Sequence, residues 1–129
     1  MKSKNTTLTL SLLISLVLTS CAWDVVDSDG LLITDNDEAY MASFDIVGTD
    51  NRSLLVSHEI NEEEKTVHAI ARYGTDLTNV KPYSSVALDA LVRPAMGQFV
   101  DFSEPREYTV ISGNRQVENT YTIYISVQE

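Results

Sequence analysis

Apolar and polar residues alternate with a period of two through most of the chain beyond Ala39. The clearest run is "TYTIYISV", in which Tyr121, Ile123, Ile125 and Val127 alternate with Thr122, Tyr124 and Ser126. Alternation rich in β-branched and aromatic residues marks a strand with one buried face. "EYTVIS" repeats the pattern, with Tyr108 and Val110 set against Thr109. Ser112-Gly113-Asn114 lies between the two runs and supplies turn residues tolerant of positive φ, so a hairpin is predicted. Further strands are predicted in "MASFDIV" (Met41 to Val47), "SLLVSHEI" (Ser53 to Ile60), "TVHAIARY" (Thr66 to Tyr73), "YSSVAL" and "ALVR". Gly48-Thr49-Asp50, Asn61-Glu62-Glu63-Glu64 and Gly74-Thr75-Asp76 punctuate them. No segment sustains a helical period, although Asp76 to Asn79 could form one helical turn capped by Thr75 or Asp76. Short strands broken by turn residues about every 8 to 12 positions predict an all-β fold, an antiparallel β-sandwich. The expected core is Phe44, Ile46, Val56, Ile60, Val67, Ala69, Val86, Val92, Val100, Phe102, Tyr108, Val110, Tyr121, Ile123 and Ile125. Pro82, Pro94 and Pro105 are expected at the starts or edges of strands, where a missing N–H is tolerated.

The amino-terminal pattern differs. Lys2 and Lys4 precede "LTLSLLISLVL" (Leu8 to Leu18), and no acidic residue occurs before Cys21. Positive, apolar and small-residue segments in that order form a secretory signal. The apolar run falls short of the about 20 residues that span a bilayer as a helix. Leu18-Thr19-Ser20-Cys21 resembles a bacterial lipobox, and Cys21 is the sole cysteine. The resemblance implies lipidation of Cys21, removal of residues 1–20 and a membrane partner held through the lipid anchor. One acyl chain binds reversibly, at about 0.8 kcal/mol per buried methylene, so several chains on one cysteine anchor firmly. With its thiol so modified the folded part has no disulfide and must hold by packing.

After Cys21, the stretch Ala22 to Asp37 carries Asp24, Asp27, Asp29, Asp35 and Asp37 and is expected to be a mobile acidic tether. Fully extended it would reach roughly 50 Å. Leu31-Leu32-Ile33 could dock as a short strand and shorten that reach. Asp35-Asn36-Asp37-Glu38 offers oxygen ligands to a calcium ion. It lacks the spacing of an EF-hand, and a solvated charge run is the expectation.

Nineteen Asp and Glu oppose nine Lys and Arg, a net charge of −10. Loss of Lys2 and Lys4 with the signal leaves seven cations against nineteen anions, −12. Such a chain repels phosphate backbones and anionic headgroups, so no nucleic acid partner is expected and the lipid is the tether. His58 and His68 flank the turn near Glu63 and could begin a zinc site, but no third ligand is evident. Surface histidines are expected, with no metal and no cofactor. Asp101 in "VDFS" is expected to cap a turn. No serine elbow, phosphate loop or Cys–His pair occurs, so an enzyme is not expected. The aromatic residues carry the functional lead. Tyr40, Tyr73, Tyr83, Tyr124 and Trp23 are candidates for exposure, and flat rings stack on the apolar faces of sugars. Tyr73 and Tyr83, beside turn residues at strand ends, are the candidate ligand-binding residues, the alternative being that both only cover the rim of the core.

"GTDLTNVKP" (Gly74 to Pro82), "VRPAMGQFVDFSEP" (Val92 to Pro105), "EYTVIS" and "TYTIYISV" follow one another as they do in a group of bacterial domains. From about Ala39 to Glu129 the chain resembles the immunoglobulin-like, cadherin- or PKD-like modules of surface lipoproteins from Bacteroidota. Their acidic-Gly turn is replaced here by Gly113-Asn114. The chain ends just after its last predicted strand, so a stand-alone module rather than a spacer is expected. The resemblance implies an immunoglobulin-like antiparallel β-sandwich over residues 38–129, following a signal peptide (1–20) and a lipidated acidic linker (21–37). It implies a binding or accessory module at the outer membrane. Its partner would be a glycan in a polysaccharide-handling system, or an envelope protein complex onto which it docks.

Overall fold

The computed structural model describes residues 25–129. Cys21 and Trp23, and with them the expected signal and lipidation site, lie outside the described residues. The chain divides into residues 1–32 and residues 33–129. In the first unit Val26 bridges to Leu32, and the Asp27 carboxylate accepts the N–H groups of Asp29 and Leu31, both at 2.9 Å.

The second unit contains seven strands: β1 (Met41–Val47), β2 (Leu55–Asn61), β3 (Thr66–Ala71), β4 (Lys81–Val86), β5 (Leu91–Arg93), β6 (Arg106–Ile111) and β7 (Glu118–Val127). They form a two-stranded sheet, β1-β4, and a five-stranded sheet, β2-β3-β7-β6-β5. Alternation sets the facing of each strand. In β3, Val67, Ala69 and Ala71 are buried while His68 and Ile70 are exposed. In β7, Tyr121 and Ile123 are buried. Phe44 and Ile46 of β1 meet these residues, with Phe102, Tyr108 and Val110, in one apolar cluster between the sheets. Phe44 and Phe102 meet edge to face with centroids 6.1 Å apart.

The expected antiparallel arrangement fails at one pair. β3 and β7 run parallel, from Thr66 opposite Thr122 to Ala71 opposite Val127. A period of two reports which face is buried and carries no strand direction. Val56, expected in the core, is 52% exposed. A register shift between Leu55 and Ser57 turns it outward, while Leu54 and Leu55 pack against the core instead. Ile60, Val86, Val92, Val100 and Ile125 are half-buried at its margin. Met41, Val80 and Ala87 are buried without having been expected there.

The small sheet has its edges covered. Val80 and Val100 exchange both backbone hydrogen bonds (3.1 and 2.8 Å), and Gly97 N–H donates to the Pro82 carbonyl. On the other side Leu54 N–H donates to the Ile46 carbonyl. Pro82, which has no N–H to give, therefore sits where the strand needs only its carbonyl.

The end of the expected tether is held by the domain. Thr34 N–H donates to the Gly113 carbonyl (3.0 Å), and Asn114 N–H donates to the Asn36 carbonyl (2.8 Å). Asn36 Nδ2 donates to Asp89 Oδ2. Thr34 and Asn36 are half-buried while Asp35 and Asp37 point outward. The uncharged polar residues thus contact the domain, and the carboxylates stay in water.

Candidate ligand-binding cleft

Two turns that share the tripeptide Gly-Thr-Asp face one cleft. After β1, Gly48-Thr49-Asp50 reverses the chain, with Asn51 N–H donating to the Gly48 carbonyl (3.0 Å) and Asn51 at φ 63°. After β3, Arg72-Tyr73-Gly74-Thr75 closes through Thr75 N–H to the Arg72 carbonyl (3.1 Å), reinforced by Thr75 Oγ1 at 2.7 Å. Gly74 has φ +79°, the value that the third position of a type II turn requires and that glycine supplies without strain. That geometry places Tyr73 at the tip, 81% exposed. Asp76 follows, and its carboxylate accepts both Thr78 Oγ1–H (2.6 Å) and Thr78 N–H (3.0 Å). Asp76 thus caps the single turn expected at Asp76 to Asn79, whose turn residues are Leu77 and Thr78. Asp101 behaves as expected, accepting Ser103 N–H at 2.8 Å.

The cleft between these turns has a volume of about 530 Å³. Leu54 lines it, and Tyr73, Arg72, Asp50, Asp76 and Asn79 give it a ring, a guanidinium, two carboxylates and an amide. The size suits a small ligand or a few sugar units. The Thr78 hydroxyl and then the Thr78 amide hold the Asp76 carboxyl below its ordinary range. Ser103 does the same to Asp101 beside a smaller hollow lined by Glu104, Pro105 and Arg106. Carboxylates held ionised accept hydrogen bonds well and make poor general acids.

Tyr83 lies elsewhere. It projects from the outer face of β4 opposite Asp45, 43% exposed, and does not line the cleft. Of the two candidate tyrosines, the structure therefore places only Tyr73 at the cleft. His58 and His68 do not face each other: His58 pairs with Ala69 and His68 with Glu59. His68 stacks instead on Tyr124, with centroids 4.9 Å apart. Among the described residues no cluster of three or more His, Cys, Asp or Glu could hold a metal. Asp50, Arg72 and Asn79 were missed as site residues. Their signal was the tripeptide Gly-Thr-Asp, which occurs at 48–50 and again at 74–76 and frames the cleft.

Solved structures share this fold. One is a Bacteroides thetaiotaomicron protein provisionally described as a glycoside hydrolase, with TM-score 0.61 and 24% identity over 74% of this chain. This chain spans 27% of that protein's length. A Bacteroides fragilis protein provisionally described as secreted matches over 72% of this chain and 98% of its own, with TM-score 0.57 and 14% identity. No curated protein matches the chain. Residues 41–125 match the family "SGBP, N-terminal", and the chain belongs to that family, the amino-terminal domains of surface glycan-binding proteins.

Proposed function

We propose that this protein is a lipid-anchored module that captures glycan at the outer membrane for a polysaccharide-handling system, through the cleft around Tyr73. In this reading residues 1–20 are the signal, 21–37 the lipidated linker and 38–129 an immunoglobulin-like sandwich. The observation that carries it is the 81% exposed Tyr73 ring at the tip of one of the two polar turns that line a cleft of sugar size, on a chain of this family. A flat ring held by a glycine turn offers an apolar face at little entropy cost, and Asp50, Asp76 and Asn79 offer partners to the hydroxyls around it. The placement suits capture. The chain joins the domain beside Gly113 and the start of β1, whereas the cleft lies past the ends of β1 and β3, at the opposite end.

Calorimetry of the purified protein against soluble xylan, galactomannan, amylopectin and mixed-linkage β-glucan tests this. Saturable binding to one of them is expected, with affinity falling about tenfold or more in Tyr73→Ala and changing little with salt, because no net charge is exchanged. Undiminished affinity in a folded Tyr73→Ala protein removes the cleft from the reading. No binding to any glycan replaces it with docking onto an envelope protein. The anchor has its own test: intact mass of the native protein should show an acylated Cys21 at the amino terminus, and Cys21→Ala should leave the protein unacylated. An unmodified Cys21 thiol in the native protein overturns the anchor.

A further inference from the structure

The cleft makes no use of a second exposed aromatic surface, on the outer face of the small sheet. Along β4, Pro82 is buried while Tyr83 and Ser85 face out. Tyr83 stands opposite Asp45 and Ser85 opposite Ser43 on β1. On the other side of β4 runs the segment Gly97 to Val100, fixed by the paired bonds between Val80 and Val100. The Tyr83 ring reaches over Gly97, where an added Cβ would stand 3.7 Å from Tyr83 Cε1. Gly97 itself has φ +90°, a conformation that reserves the position for glycine. One step along, Lys81 holds its ammonium 4.9 Å from the centroid of the Phe99 ring. Phe99 is 43% exposed, as is Tyr83. Two half-exposed rings thus share one flat face on neighbouring chain segments, roughly 7 Å apart by the geometry of diagonal neighbours in a sheet.

The surroundings select the occupant. Ser43, Ser85 and Asp45 interleave the rings with hydroxyl and carboxylate groups, so the face has no continuous apolar centre of the kind that protein partners bury. Lys81 forms no ion pair with a carboxylate among the described residues, which leaves its three N–H donors for ligand oxygens. Asp45 balances its charge on this face, and the chain as a whole carries −10, so a polyanionic ligand is disfavoured. We propose that this face is a second glycan contact, separate from the cleft, taking a neutral chain of pyranose rings. One sugar lies on Tyr83 and a neighbouring sugar on Phe99, with Lys81 donating to their hydroxyls. The ligand class rests on the function proposed above; the site does not.

The test is calorimetry of the purified protein with the four neutral glycans named above and with polygalacturonate, on wild type, Tyr73→Ala, Phe99→Leu and Lys81→Gln. Phe99→Leu keeps apolar volume and removes only the flat ring, and circular dichroism checks its fold. Tyr73→Ala should retain a saturable phase of neutral-glycan binding. Phe99→Leu and Lys81→Gln should each weaken that phase roughly threefold to tenfold, the worth of one aromatic or cationic contact. Wild-type binding in both Phe99→Leu and Lys81→Gln, with all binding lost in Tyr73→Ala, overturns the second contact and leaves the cleft standing. Tighter binding of polygalacturonate than of any neutral glycan overturns the ligand class. No glycan binding by the wild type overturns both proposals.

Discussion

Replacing Tyr121 by alanine should cost the domain about 3–5 kcal/mol, the largest loss expected from any single exchange described for this protein. The ring is fully buried in the core. Its hydroxyl also ties three parts of the chain together. It accepts the Met41 N–H (3.2 Å) at the start of β1 and donates to Glu62 Oε2 (2.6 Å) in the β2–β3 turn. Lys65 closes the group, 3.4 Å from Glu62 and 5.7 Å from the ring centroid. Alanine would leave a cavity and strip Met41 N–H of its partner, where an unpaired buried amide adds about 1–3 kcal/mol of its own. Ile123→Ala, on the same face, should cost about 2–5 kcal/mol. Thr122→Ala, on the opposite face, should cost no more than about 0.5 kcal/mol. Urea denaturation of the three variants checks the order, and equal midpoints would refute the facing of β7. The hydroxyl adds a pH signature. Burial first, and then the Glu62 carboxylate, push its pKa from 10.0 to about 12. The folded state therefore holds this proton more tightly than the unfolded chain. Its contribution is complete below pH 10 and is lost as pH rises from about 10 towards 12. Tyr121→Phe should flatten that alkaline decline while lowering stability at neutral pH.

The sequence was most informative where one face of a strand is buried. "MASFDIV" names β1 to the residue, and "TYTIYISV" fixes the facing of β7, because burial imposes a period of two on any strand against a core. It was silent on partners. The parallel pairing of β3 with β7 leaves no mark in the alternation, since direction is set by how distant segments meet. Val56 shows a second limit: the irregularity at Leu55 and Ser57 shifts the phase of β2, and a pattern read from one end misassigns what lies beyond it. The site was half legible. Tyr73 beside Gly74 reads as an exposed aromatic in a turn, and the structure places it at a cleft. Asp50 lies 23 positions earlier and belongs to that cleft only because the turns after β1 and β3 meet there in the fold. Phe99 lies in a segment without alternation, and only its place beside Lys81 distinguishes it from an ordinary surface ring.

Gly113→Ala should free the segment Ile33 to Asp37 from the domain, at a cost of about 1–3 kcal/mol. Ser112-Gly113-Asn114 could supply a positive φ to the hairpin between β6 and β7, but that angle falls on Arg115, at 64°. Gly113 answers to close approach instead. A Cβ there would collide with Thr34 Oγ1 and stand 2.9 Å from Asp89 Cβ. Thr34 can rotate its hydroxyl away, but Asp89 Cβ moves only with its backbone, and Asp89 is the residue that receives the Asn36 amide. The single methyl thus strains the joint from both sides, while the core, which Gly113 does not enter, keeps its packing. Amide hydrogen exchange should rise at Thr34 and Asn114, whose N–H groups bridge the joint, and stay unchanged at Ile123. Asn36→Ala removes the amide without adding bulk and should raise exchange at Thr34 by a smaller factor. Retained protection at Thr34 in Gly113→Ala would show that the joint tolerates the methyl and does not depend on this glycine. With the joint open, Ile33 to Asp37 would become five residues of free chain ahead of β1.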